Sequence, residues 1–131
     1  FYARAFTAML KGNAAATFAG LDTALHLSPL DPLLYAVHGV RAQMLIQQED
    51  HEAAARWADR AATTPGAHYL IAMIALAANG LAGRHDQAAR WRAKVRQLKP
   101  DAAAADYLAA FPTRDAASRG RVAAELKRHG L

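Results

Sequence analysis

Two heptapeptides, HEAAARW at 51–57 and HDQAARW at 85–91, agree at five of seven positions and lie 34 residues apart. Self-similarity at a period of this size restricts the fold more than any other feature of the chain. It marks stacked supersecondary units, each too small to bury its own apolar face, that share one continuous core. Within each copy the apolar side chains recur three and four positions apart (Ala54, Trp57, Ala61; Ala88, Trp91, Val95), the spacing of one helix face.

The rest of the chain reads as helices between short breaks. FYARAFTAMLK, at 1–11, is a helix closed by the turn signal Gly12-Asn13. A second helix over 14–27 carries Phe18, Leu21, Ala24 and Leu25 on one side. SPLDP interrupts it, and Asp31-Pro32 opens the next, since Asp caps a helix and Pro is tolerated in its first turn. Leu33, Val37, Val40 and Met44 stripe a helix over 32–47, and Asp50 caps the helix that bears HEAAARW. After TTPGA comes a helix over 67–81, then Ala82-Gly83-Arg84, then the HDQAARW helix to about Leu98. Lys99-Pro100-Asp101 breaks the chain, and two shorter helices follow near 101–110 and 115–129. Hydrophobic residues make up 53% of the chain, but much of this is Ala while Val and Ile are scarce, so the composition favours helices over sheet. The expected fold is therefore all-α.

These residues resemble the tetratricopeptide repeat. In that family a small residue marks the close crossing of two helices, matched here by Ala54 and Ala88, with Trp57 and Trp91 following and Ala61 and Val95 seven positions on. Pro29, Pro65 and Pro100 close the units, and Gly12 and Gly83 occupy the turns between paired helices. Glu49 stands where the middle unit would carry Gly, and His51 and His85 replace the usual aromatic of the second helix. The resemblance implies a single domain over 1–131, a superhelix of antiparallel helix pairs with units at about 1–31, 32–66 and 67–100, and two capping helices in 101–131. LSPLDP and the ending ELKRHGL are similar to the C-terminal repeat regions of bacterial class III adenylate/guanylate cyclases and winged-helix transcriptional regulators. The initial Phe1 suggests an excised piece of such a longer chain, in which a cyclase domain could lie elsewhere.

In that architecture the first helix of each pair lines the binding groove. The implied lining is Ala36, Gly39, Gln43 and Gln47 in the middle unit, and Leu70, Met73, Ala77 and Gly80 in the last. The Lys, Arg and Asn set with which chaperone-binding repeats clamp a terminal carboxylate is missing, so an apolar helix or a neighbouring domain suits the groove better. Ala54, Trp57, Ala88 and Trp91 are expected to pack the repeats, with the two indoles wedged between neighbouring hairpins.

Chemistry finds little support. The chain has no cysteine, no HExxH and no phosphate loop, and its two serines, Ser28 and Ser118, lie in a turn and near a helix start. His51 and His85 read as half-buried rings. No catalytic residue, metal ligand or cofactor is expected. Charge is uneven: residues 1–83 hold five basic and six acidic side chains, residues 84–131 eleven and five. Arg84, Arg90, Arg92, Lys94, Arg96 and Lys99 share one predicted helix with no interleaved set of stacking aromatics and no recognition-helix signature, so a solvated face, or contact with an acidic partner domain, outweighs nucleic-acid binding. No apolar run approaches the roughly 20 residues of a membrane span. The expected role is a non-catalytic, cytoplasmic protein–protein interaction or regulatory domain. A small-ligand sensor and a nucleic-acid contact through the basic third are the alternatives.

Overall fold

A computed structural model describes residues 2–27 and 34–131. Among these residues there are eight helices and no strand: α1 (Tyr2–Leu10), α2 (Ala14–Leu27), α3 (Leu34–Gln47), α4 (His51–Thr63), α5 (Tyr69–Leu81), α6 (His85–Leu98), α7 (Ala104–Ala110) and α8 (Ala116–Arg128). The SPLDP break, with Pro29, the Asp31-Pro32 helix start and Leu33, lies outside the described residues.

Helix ends follow the local chemistry of the sequence. Asp50 Oδ1 accepts from the Ala53 amide and Asp115 Oδ1 from the Ser118 amide, so each carboxylate satisfies a first-turn donor that has no partner within its own helix. The three tight turns within pairs end alike. The amides of Asn13, Asp50 and Arg84 reach back to the carbonyls of Ala8, Leu45 and Asn79, and Gly12, Glu49 and Gly83 all take positive φ, at 77°, 61° and 77°. These are Schellman endings, in which the left-handed residue lets the chain cover the last carbonyls of the helix. Glu49 thus adopts the conformation of the glycine it replaces. Two helices start later than the sequence suggests. Gly66, at φ 86°, and the bond from the Ala67 amide to the Thr64 carbonyl prolong the turn before α5, and a turn over Lys99–Ala102 does so before α7.

Packing is that of a repeat. α1 pairs with α2, α3 with α4, and α5 with α6; α4 sits between α3 and α5, while α1, α3 and α5 lie side by side. Ala54 and Ala88 are both fully buried. α5 is buried over every residue from Ile71 to Gly80, because helices cover it on all sides. A larger core gathers α3 to α8, and a smaller one joins Met9, Leu21, Val37 and Met44 of the first three helices.

The two copies of the heptapeptide pack differently. Trp91 is buried in the seam to α4, where its Nε1 donates to Asp59 Oδ1 at 2.8 Å. Trp57 is only half-buried: Arg41 and Arg60 each lie 4.9 Å from its ring centroid and His38 lies against it. His51 is half-buried as expected, whereas His85 is exposed.

Candidate functional site

The expected groove residues lie on α3 and α5, which form one face with α1, and residues of the C-terminal segment cover much of it. α7 and α8 pack on α5 rather than only closing the end of the stack. The Tyr107 hydroxyl accepts from Gln43 Nε2 at 3.2 Å, Phe111 meets Phe6 edge-on at 6.4 Å, and the Arg114 amide donates to the Leu10 carbonyl at 2.9 Å. The segment therefore runs from the third helix pair back to the first. Burial pushes the Tyr107 phenol up to about 12, so it stays protonated and keeps a neutral hydrogen bond to Gln43.

This brace changes the standing of the expected groove residues. Met73 and Ala77 are fully buried, and Gln43 is buried beneath Tyr107. Gly80 faces Glu125 of α8, whose carboxylate and Cγ occupy the place a Cβ would need. Gln47 is tied to the Met9 carbonyl by a 2.9 Å bond from its Nε2. Gly39 is buried at a close approach of α3 to α5, where an added Cβ would lie 3.4 Å from Ile71 and 3.5 Å from Ile74. Ala36 and Leu70 remain half-buried and border open space. That space is a pocket of about 240 Å³ between Tyr2, Phe6, Ala36, Leu70, Ile71 and Phe111. It lies where the C-terminal segment stops short of the upstream ends of α3 and α5.

The basic third is used largely within the fold. Arg92 Nε donates to the His129 carbonyl at 2.6 Å, and Arg96 donates to the carbonyls of Ala102 and Gly130 at 2.7 and 2.6 Å. Arg119 reaches the carbonyls of Leu108 in α7 and of Phe111 just after it, and Lys99 pairs with Asp101. These guanidinium forks hold the C-terminus against α6 and α7, which accounts for much of the local excess of arginine.

One further cluster joins residues that spacing along the sequence keeps apart. His85 at the start of α6, Glu125 of α8 and His129 at its end bring one ligand atom each to within 4.8 Å of one another, the one such group of three among the described residues. The chain has no HExxH and no Cys/His set, and its sequence points to no metal ligand. The one local signal is the i, i+4 pair Glu125 and His129 in ELKRH. The third member cannot be found by spacing, because only the packing of α8 on α5 brings it near.

Comparison of the chain with protein-family models, curated proteins and solved structures found no match. Among the described residues no helix is long and apolar enough to cross a membrane.

Proposed function

We propose that this chain is a non-catalytic protein–protein interaction domain of the tetratricopeptide kind, which regulates a bacterial signalling or transcription-regulator protein. The observation that carries the binding role is the apolar pocket left between Ala36, Leu70 and Phe111. At about 240 Å³ it falls below the roughly 300–1,000 Å³ of small-molecule sites and suits one or two apolar anchor side chains of a partner helix. The same size argues against a small-ligand sensor at this place. The commitment of Arg92, Arg96 and Arg119 to internal carbonyls argues against a nucleic-acid surface. The link to a cyclase or winged-helix effector rests on the resemblance of LSPLDP and ELKRHGL alone.

The test is a displayed peptide library panned on the wild type and on Leu70→Glu. Peptides with apolar anchors at i, i+3 or i+4 and i+7 should be enriched on the wild type and lost on the variant. Absence of enrichment, or equal enrichment on both proteins, removes the reading.

A further inference from the structure

We propose that His85, Glu125 and His129 form a binding site for one divalent transition-metal ion of the zinc type, with a fourth position open to solvent at His85. Two imidazoles and one carboxylate are a donor set that Zn²⁺ takes in three-ligand sites, whereas Mg²⁺ and Ca²⁺ prefer oxygen alone.

The site is built into the fold. Glu125 is 5% exposed, and its Oε1 has no hydrogen-bond partner. His129 Nε2 is also buried without a partner, 3.5 Å from that oxygen. The two atoms lie at ion-pair distance, and without a proton or a cation between them two buried acceptors face each other at a cost. Ligands about 2.0–2.1 Å from a tetrahedral ion lie roughly 3.4 Å from one another, which is close to the separation seen for this pair. Arg128 contacts the other carboxylate oxygen, Oε2, at 3.5 Å, so the charge-paired oxygen and the ligating oxygen are distinct. Gly80 supplies the room: any side chain there would displace the Glu125 carboxylate. His85 completes the set from the first turn of α6, where an exposed ring can move the last fraction of the distance.

The ion ties the end of α8 to the start of α6, and so fastens the C-terminal brace onto the helix-pair stack. Wild-type protein titrated with ZnCl₂ by calorimetry should take up one ion per chain, and its Tm should rise with Zn²⁺ concentration. His85→Ala changes an exposed residue, so the fold is kept. It should weaken the affinity by more than about 100-fold, beyond the 10–100-fold typical of changes outside the ligand set. Glu125→Gln should do the same, while His51→Ala, the repeat counterpart of His85, should bind as the wild type does. No uptake by the wild type, or unchanged affinity in His85→Ala, overturns the site.

Discussion

Trp91 Nε1 and Asp59 Oδ1 are joined at 2.8 Å across the seam between the second and third helix pairs. The same oxygen accepts from Asn79 Nδ2 at 2.8 Å, and Arg84 lies 4.0 Å from the other carboxylate oxygen. One carboxylate thus satisfies an indole and a buried amide from two neighbouring helices. Asp59→Leu leaves the indole N–H and one N–H of Asn79 Nδ2 unpaired, while the other amide hydrogen keeps its 2.8 Å bond to the Ala75 carbonyl. The expected loss is about 1–3 kcal/mol for each abandoned buried group, read as a lower urea midpoint. Asp59→Asn, which keeps one acceptor oxygen, should lose less; equal losses in the two variants would argue against the shared-acceptor account.

Glu49 sits at φ 61° in a turn whose two counterparts are glycines, and its ion pair with Arg121, at 3.8 Å, is exposed on the Glu49 side. A non-glycine residue in the left-handed region carries a penalty of about 1–2 kcal/mol, and an exposed ion pair returns little of it. Glu49→Gly should therefore stabilise the chain by about 0.5–1 kcal/mol, after the entropy that glycine loses on folding. Chemical denaturation of the two proteins measures this directly. A lower midpoint in the variant would mean that the Arg121 contact outweighs the backbone cost.

Gly80→Ala sets two effects against each other. Helix propensity alone favours alanine by about 1 kcal/mol. The added Cβ meets the Cγ of Glu125 at 2.6 Å and its Cδ at 2.8 Å, so the whole side chain must shift and not merely its tip. Overpacking of about 1–3 kcal/mol should win, and thermal unfolding should show a lower Tm. Gly120→Ala, whose Cβ would meet nothing within 4 Å, should gain stability instead.

His38 ties stability to pH. Burial, and then the nearby Arg60 and Arg41, hold its imidazole below its ordinary 6.5. The unfolded chain therefore binds the proton first, and stability is complete above about pH 6.5 and declines as the pH falls toward the folded value. His68, lowered by burial, contributes in the same direction. Urea midpoints between pH 7.5 and 5 should fall for the wild type and fall less steeply for His38→Leu. Parallel slopes would assign the decline to other groups.

The helices and their order were legible because their signals are local. Turn glycines, Asp50 as a cap, and three-and-four spacing act within one or two turns of chain. The burial of Ala54 and Ala88 was legible for a related reason: in a repeat each unit meets mainly its neighbour, so the sequence period is also the spatial one. The differing fates of Trp57 and Trp91 were not, since Asp59 has no equivalent that would repeat the bond one unit earlier, where Leu25 stands.

The sequence by itself determined an all-helical chain, the positions of its turns and the 34-residue register of its helix pairs. Only the tertiary structure decided what covers the face of α1, α3 and α5. Gln43, Met73, Ala77 and Gly80 carry the pattern of an open groove, yet Tyr107, Glu125 and their neighbours lie over that face. The same fold-back brings His85 to Glu125 and His129. These contacts join residues far apart in the chain and follow no period, so no local propensity encodes them; they arise from burying the apolar surface that three stacked helix pairs leave exposed.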